Sequence, residues 1–219
     1  MPKKQSPKPA RPTAAAPTPT PAKSAKPDPA RKISLVQQAI SFAQRRHRHQ
    51  TRRDGNTPYA AHVVRVAFTI ERVFDHHDEA TIAAALLHDT IEDTHTDFED
   101  LAEPFGQDVA GLVAALTKNM ALPEIDRERA YDLQLARADW RARLIKLADA
   151  YDNLCDTETL PDGQADAKRL KDAFDRAHRA ITLAETDART HDTSQRAIDA
   201  LTALIDAKLK AKAKKKPAK

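Results

Sequence analysis

The chain has 219 residues, of which 41% are hydrophobic and only 5% are aromatic, and its one cysteine is Cys155. A single cysteine excludes an internal disulfide, and no apolar run approaches the roughly 18 residues of a membrane span. We therefore expect a cytoplasmic protein that does not contact a membrane. Because glycine is scarce and helix-forming residues dominate, the composition predicts an all-α fold.

The formal net charge of +4 combines two basic ends with an acidic body. Residues 1–32 hold eight Lys or Arg, one Asp and nine of the 14 prolines, and residues 208–219 hold seven Lys and no acidic residue. The remaining body, 33–207, has a net charge of about −10. Segments of this composition bury too little apolar surface to fold, so both ends are predicted to be disordered tails. They are either solvated ends or contacts for a nucleic acid or ribosome.

Between the tails, hydrophobic periodicity and capping residues predict a bundle of eight to nine helices. Ser34 and Asp78 are expected N-caps, Pro58 is expected at the first position of a helix, and Thr96 with Glu99 forms a candidate capping box. The expected spans are 34–47, 58–74, 78–88, 96–103, 106–117, 125–138, 139–156, 165–188 and 194–212. Residues 50–57 are predicted to form a loop.

The most informative segment is 83–94, where an apolar run ends in His88 and Asp89 and continues to Glu92 and Asp93. A buried ionic group is costly unless it is paired or bound to a metal. The spacing of four residues from His88 to Glu92, and from Asp89 to Asp93, places each pair on one face if the helix continues. We therefore expect a divalent cation with a reactive water, whose proton Glu92 or Asp93 accepts.

Two residues from other helices extend this candidate ligand set. His62 lies near the start of the second helix, and Asp149 lies beside the apolar stripe of the helix predicted at 139–156. With His88 and Asp89 they supply two imidazoles and two carboxylates, which suit Mn²⁺, Fe²⁺ or Zn²⁺. Each residue alone has an ordinary explanation, such as a core histidine or a salt-bridged aspartate. Their coincidence indicates a metal site with positions open for water and substrate.

Several motifs together resemble a known family, the HD-type hydrolase domain of RelA/SpoT proteins, over residues 33–185. They are Tyr59-Ala-Ala-His62, the segment Ala84–Thr94, Phe105-Gly106 through Leu116-Thr117-Lys118, Leu144-Ile-Lys-Leu-Ala-Asp149, and Asn153. The chain length is similar to that of the stand-alone small alarmone hydrolases. About 30 residues follow the last shared helix, too few for the family's synthetase domain, so hydrolysis alone is expected.

The resemblance implies an all-α HD fold and one Mn²⁺ held by His62, His88, Asp89 and Asp149. It also implies that Glu92 and Asp93 handle the attacking water. The implied reaction removes pyrophosphate from the 3′ position of guanosine tetra- or pentaphosphate. Two alternatives remain open: an HD phosphohydrolase of another nucleotide, such as the adenosine analogue or the 2′-phosphate of NADPH, and a non-catalytic nucleotide sensor.

Candidate substrate contacts surround this predicted centre. Arg52 and Arg53 match the basic pair of the family, and their guanidinium groups suit phosphate or a stacked base. The other candidates are Tyr59 as a pocket wall, Lys146 and Lys118 as phosphate contacts, Asn153 near the ribose, and Asp156 as an acceptor from guanine. A solvated loop is the alternative for the two arginines, and packing beside the core is the alternative for Lys146.

The chain departs from the family pattern at three positions. It has Val63 where the family often has proline, and Ala150 and Cys155 where the family usually has arginine. None of these positions supplies a predicted metal ligand. The last two lie at the expected pocket rim, so they bear on substrate preference. The sequence gives no indication of an oligomeric state.

Overall fold

The computed structural model describes residues 33–157 and 167–215, and within these ranges the regular elements are helices. The helices are α1 (Leu35–Arg46), α2 (Ala60–Phe68), α3 (Glu79–Leu87), α4 (Thr90–Asp93), α5 (Phe98–Leu116), α6 (Glu124–Arg137), α7 (Trp140–Asp156), α8 (Ala167–Ala184) and α9 (Asp192–Lys215). A π-helical segment, Thr69–Val73, prolongs α2, and a 3₁₀ turn, Asp187–Arg189, precedes α9. The all-α prediction is confirmed. The predicted tail 1–32 lies outside the described residues.

Two of the predicted helix caps are confirmed, and the starts of two helices differ from the prediction. Ser34 caps α1 in a capping box with Gln37, and Asp78 caps α3. The box predicted at Thr96 and Glu99 is wrong, because Asp97 and Asp100 form it one residue later. The Thr96 side chain is instead buried and bonded to the Thr94 hydroxyl at 2.7 Å.

The start of the second helix also differs from the prediction. Pro58 forms an isolated antiparallel bridge with Thr51, and α2 begins at Ala60. The loop 50–57 is thereby closed at its base. Arg52 and Arg53 are carried on this loop, so the bridge fixes where they stand relative to α2.

The helix α5 is interrupted close to Pro104, as the sequence predicted. Gly106 adopts φ 85° and ψ 162° inside an otherwise helical run. Glycine reaches this left-handed region without steric cost, so the chain turns there and resumes the helix. The two helices predicted on either side of this break are therefore observed as the two helical segments of α5, which meet at Gly106.

The core is organised around α3, which is hydrophobic on all sides. All its residues from Thr81 to Leu87 are buried, and it contacts α1, α2, α5 and α7. A helix that is apolar all round must be enclosed by its neighbours. Because α3 ends at Leu87, the next residues His88 and Asp89 emerge at the centre of the bundle. This placement delivers ionisable groups to a buried position.

The C-terminal tail was predicted to begin at residue 208, and this boundary is too early. The helix α9 continues to Lys215. Lys and Ala are good helix formers, and no proline interrupts the run before Pro217. Lys208 is itself buried, and its ammonium reaches the Thr157 hydroxyl at 3.4 Å. Among the described helices, none combines the length and hydrophobicity that a membrane crossing requires.

Candidate metal centre and active site

Three elements bring a cluster of ligand-type atoms to the middle of the bundle. His62 comes from α2, His88 follows α3, and Asp149 comes from α7. One ligand atom of each lies within 4.8 Å of those of the other two. The carboxylate Oδ1 of Asp149 is 3.3 Å from His62 Nε2 and 3.9 Å from His88 Nε2. All three side chains are buried, so the cluster is a His-His-Asp site enclosed by the fold.

Asp89 reaches the same cluster from the junction between α3 and α4. Its Oδ2 atom is 3.0 Å from His88 Nε2 and 3.6 Å from His62 Nε2. The helix α3 ends at Leu87, close to the predicted end at His88, and the short helix α4 starts at Thr90, so Glu92 and Asp93 do not lie on one continuous helix with His88 and Asp89. A local turn nevertheless persists, since the Asp93 amide donates to the Asp89 carbonyl at 2.9 Å.

Both imidazoles are oriented by acceptors on their outer nitrogens. His62 Nδ1 is 2.7 Å from Asp152 Oδ2, and His88 Nδ1 is 2.8 Å from the Ala85 carbonyl oxygen. With the proton on Nδ1, each ring presents an Nε2 lone pair to the cluster. His88 Nε2 is buried and makes no hydrogen bond within the described residues, although Asp89 Oδ2 lies near. Such an orphaned acceptor beside two carboxylates fits a cation.

The electrostatics of the cluster also favour positive charge at its centre. Burial alone lowers the pKa of His88, but the negative charges of Asp89 and Asp149 overcome it and raise the pKa to about 9. Burial alone raises the pKa of Asp149, but the Lys146 ammonium, 2.8 Å from Oδ2, holds it well below its usual value. Two ionised carboxylates thus face two imidazoles, which is a donor set for a divalent metal.

Asp152 contacts a candidate ligand of the cluster and was not predicted from the sequence. Besides His62, it binds the Arg65 guanidinium through both oxygens at 2.6 and 3.0 Å, and it is only 4% exposed. A signal was available, because Asp152 follows Ala148 by four residues and Ile145 by seven, and both are buried. A carboxylate in that register faces the protein interior, where it needs partners.

The two carboxylates predicted to handle water lie beside the cluster in different settings. Glu92 Oε2 accepts a hydrogen bond from the Lys118 amide at 3.0 Å, and Asp93 Oδ2 accepts one from the Tyr59 hydroxyl at 3.2 Å. Burial raises the pKa of Glu92 and of Asp93, and the charge of Asp89 raises both further. The Tyr59 hydroxyl also donates to Asp89. The Tyr59 hydroxyl thus links Asp93 to Asp89, whereas Glu92 is held separately by the Lys118 amide.

His47, the C-cap residue of α1, is buried beside Tyr59. The side chain is 1% exposed and stacks on Tyr59 with 4.8 Å between ring centroids. Its Nδ1 atom is 2.7 Å from Gln50 Oε1, and Gln50 in turn donates to the Asp93 carbonyl at 2.7 Å. His47 follows Ala43 by one helical repeat of four on the buried face of α1, which explains its position.

A cavity of about 320 Å³ opens over the cluster and collects most of the predicted site. Its lining includes the candidate ligands His62, His88, Asp89 and Asp149, the carboxylates Glu92 and Asp93, and the candidate contacts Arg52, Arg53, Tyr59, Lys118, Lys146 and Asn153. Asp156, the predicted guanine contact, is absent from this lining. Tyr131 and Arg176 line the cavity and were not predicted.

Arg52 is held in a fixed orientation at one side of the cavity. Its guanidinium donates to Asp156 at 2.9 Å and to the Asn153 side-chain oxygen at 2.9 Å, and it lies 5.5 Å from the Tyr59 ring centroid. Asp156 also accepts from Arg65 at 3.2 Å. The carboxylate predicted to contact guanine therefore engages two arginines of the protein, and it orients Arg52.

Comparison with known proteins places this geometry in a family. The chain matches the HD domain family over residues 39–175. It is 40% identical over 134 residues to guanosine-3′,5′-bis(diphosphate) 3′-pyrophosphohydrolase MESH1 of Drosophila melanogaster, covering 60% of this chain and 75% of that protein. The Homo sapiens protein of the same name is 36% identical over 146 residues, covering 66% and 81%.

Solved structures agree with the sequence relatives. A structure described as a metazoan ortholog of SpoT that hydrolyses ppGpp superposes with a TM-score of 0.69 at 31% identity, covering 82% of this chain and 98% of the other. The sequence relatives and the solved structure therefore point to the same family. The chain belongs to the HD-domain family and, within it, to the family of the MESH1 proteins.

Proposed function

We propose that this chain is a divalent-metal-dependent hydrolase that removes the 3′-pyrophosphate from guanosine 3′,5′-bis(diphosphate). The carrying observation is the convergence of His62, His88 and Asp149 within 4.8 Å, beneath a cavity that also presents two carboxylates and several cations. The relatives named for this activity support the assignment. The products are a guanosine 5′-diphosphate and pyrophosphate.

We propose Mn²⁺ as the metal, with His62, His88, Asp89 and Asp149 as its ligands. Mixed imidazole and carboxylate donors suit Mn²⁺, and the orphaned Nε2 of His88 fits a cation at this point. The metal would supply Lewis-acid activation of the phosphoryl group and of water. Asp152 and the Ala85 carbonyl keep the two imidazoles in the tautomer that this role requires.

Glu92 and Asp93 are proposed to hold the attacking water and accept its proton. Both carboxyl groups have raised pKa values, which brings their basicity closer to that needed near neutral pH. The Lys118 amide fixes Glu92, and the Tyr59 hydroxyl fixes Asp93. Water attacks the phosphorus that is bonded to the 3′ oxygen, and the bond between this phosphorus and the 3′ oxygen breaks. The 3′ oxygen takes up a proton to become the ribose hydroxyl, and the oxygen of water is released in pyrophosphate.

The remaining lining residues are proposed to position the nucleotide. Arg52, locked by Asp156 and Asn153, offers a rigid guanidinium plane that suits stacking on the base. The Lys146 ammonium donates a hydrogen bond to Asp149, and we propose that its positive charge also stabilises the scissile phosphate. Asp156 acts through Arg52 in this proposal. The cytoplasmic location and the nucleic-acid or ribosome contact of the basic tails stay predictions.

The function is tested by incubating the purified chain with Mn²⁺ and either guanosine 3′,5′-bis(diphosphate) or NADPH. We expect pyrophosphate release from the guanosine nucleotide, loss of release in a chelator, and a strong decrease in Glu92→Gln. Asp108→Asn is a matched control, because this carboxylate is exposed on α5 and pairs with Arg141. Phosphate release from NADPH alone indicates the other phosphohydrolase. Stoichiometric nucleotide binding without turnover indicates a sensor.

A further inference from the structure

A second space, between α6 and α8, adjoins the cavity over the metal centre. This groove, of about 380 Å³, shares Lys118, Tyr131, Lys146 and Arg176 with the lining of the first cavity. The proposed substrate carries two diphosphate groups at opposite ends of a ribose. Only one of them can lie at the metal centre, so the other needs a separate place with positive charge.

Most cations of this region already have acidic partners. Lys118 binds Glu128 at 2.8 Å, Arg179 binds Glu128 and Asp132, and Lys146 binds Asp149. Their charge is largely balanced within the protein. A phosphate group gains little from a cation that must first leave a carboxylate.

Arg53 and Arg176 differ from these cations. Both line the cavity, both are exposed, and within residues 33–157 and 167–215 neither forms an ion pair. Arg169 lies seven residues before Arg176 on α8, which places the two on the same helix face. Arg169 is exposed and likewise forms no ion pair within those ranges.

Arg53 lies near enough to Arg176 and Arg169 for their charges to act on its guanidinium group. Partial burial lowers the pKa of Arg53, and the positive charges of Arg176, Arg52 and Arg169 lower it further, opposed by Asp156. Like charges gathered from a loop and a separate helix store unfavourable energy, which a bound anion releases. Guanidinium groups also match the oxygens of a diphosphate in geometry.

We propose that Arg53, Arg169 and Arg176 form a subsite for the diphosphate that is not hydrolysed, here named the distal subsite. The inference rests on the proposed function and deepens it, because it makes the second diphosphate a determinant of substrate choice. The α8 arginines supply the part of the subsite that the sequence motifs did not indicate. The groove beyond Arg176 gives this end of the nucleotide room to extend.

Binding is the direct test, and it does not depend on turnover. The full chain in EDTA is titrated by calorimetry with guanosine 3′,5′-bis(diphosphate) and with guanosine 3′-diphosphate, which lacks the distal group. We expect the wild-type chain to bind the first ligand at least tenfold more tightly, and the Arg169→Gln/Arg176→Gln chain to lose most of that difference. Arg176→Lys should keep part of it, because the charge remains.

Lys171→Gln is the matched control, because Lys171 is an exposed cation of the same helix that pairs with Asp175 and does not line the cavity. We expect this variant to keep the wild-type preference. The proposal is overturned if the wild-type chain binds both nucleotides equally or if the double variant keeps the full preference. A double variant that instead weakens inhibition by added pyrophosphate, with the nucleotide preference intact, also overturns it, since the cluster then holds the leaving group.

Turnover with Mn²⁺ separates this inference from the proposed function. If hydrolysis occurs, the double variant should raise KM for the bis(diphosphate) about 10–100-fold with little change in kcat. The KM for guanosine 3′-diphosphate should change far less. A chain that binds with the expected preference but releases no pyrophosphate contradicts the proposed function and leaves the distal subsite supported.

Discussion

Two buried polar clusters of this molecule are built from similar residues but are satisfied in opposite ways. In one, the Arg143 guanidinium donates to both oxygens of Asp187 at 2.6 and 2.8 Å and to the carbonyls of Leu135 and Ala138 at 2.7 and 2.8 Å. In the other, the metal centre, ring nitrogens and carboxylate oxygens converge on one point, and His88 Nε2 has no hydrogen-bond partner among the described residues.

The difference separates a structural role from a functional one. When a buried ion pair has all its hydrogen bonds, its charges are balanced within the protein and it needs no further ligand. A gathering of acceptors is unfavourable until a cation occupies it. Charged and polar residues therefore have two roles here. The Arg143–Asp187 pair ties α7 to the turn before α9, whereas the cluster of His62, His88 and Asp149 offers a site for an ion.

The largest expected effect comes from removing a ligand of the metal centre. In Asp149→Asn, we expect pyrophosphate release to fall by more than about 10³-fold, beyond the about 10–100-fold that loss of an outer-shell partner causes. Added Mn²⁺ should raise the melting temperature of the wild-type chain, since a ligand at about 100 times its Kd stabilises by about 2.7 kcal/mol. The variant should lose this increase. Calorimetric melting with and without Mn²⁺ measures it.

For the Arg143–Asp187 pair, we expect a loss of stability without a loss of metal binding. Asp187→Ala leaves a buried guanidinium without its carboxylate, which should lower the free energy of unfolding by about 3–5 kcal/mol. Urea unfolding in EDTA and in Mn²⁺ should give the same loss. The Mn²⁺ affinity of the folded variant should match that of the wild-type chain, and a large decrease would show that the two clusters are energetically coupled.

The exposed pair of Arg141 and Asp108 is the control for that comparison. It has the same bidentate chemistry, with distances of 2.8 and 2.7 Å, but the Asp108 side chain is 58% exposed. Asp108→Ala should change the free energy of unfolding by only about 0–1 kcal/mol. A loss equal to that of Asp187→Ala would show that burial is not what distinguishes the two pairs.

Asp152 gives an intermediate effect because it belongs to both kinds of cluster. It is fully bonded to Arg65, yet it also orients His62 at the metal centre. In Asp152→Asn, we expect Mn²⁺ affinity to fall about 10–100-fold while the metal still binds. Competition with a fluorescent chelator measures the affinity. Unchanged affinity would limit Asp152 to a structural salt bridge.

The sequence predicted the fold class and the grouping of His62, His88, Asp89 and Asp149, because each lies at a position where an apolar pattern meets an ionisable residue. Local signals sufficed for α3, whose all-round hydrophobicity and Asp78 cap are both observed. The tail boundary at residue 208 was missed because composition alone does not show that α9 packs Lys208 against the protein.

Other features depend on contacts distant in sequence, which periodicity does not report. Arg143 and Asp187 are 44 residues apart, and Arg52 meets Asp156 across 104 residues. The roles of Asp156 and Arg52 therefore followed from the fold. The α8 arginines resembled ordinary surface residues in the sequence, and only the shared cavity lining brings Arg176 to the site.

The smallest expected effect concerns Asp54, which lies in the loop that carries Arg52 and Arg53 and is only half-buried, unlike the clusters above. Its carboxylate accepts from the Thr57 hydroxyl, from the Thr57 amide at 2.8 Å and from the Asn56 amide at 2.9 Å, and these bonds lower its pKa to about 2. Because the folded pKa is depressed, its contribution to loop order is complete above about pH 4 and is lost as the pH falls through about 2.

This pH dependence is tested by an NMR titration of the Asp54 carboxyl together with amide hydrogen exchange at Asn56 and Thr57. We expect slow exchange at pH 5 and faster exchange near pH 2, and we expect Asp54→Ala to exchange quickly at both. The same variant should raise KM only a few-fold, because the bridge between Thr51 and Pro58 still closes the loop. A KM increase as large as that expected for the α8 arginines would mean that the turn at Asp54, rather than the charge of Arg53, governs binding on this side of the cavity.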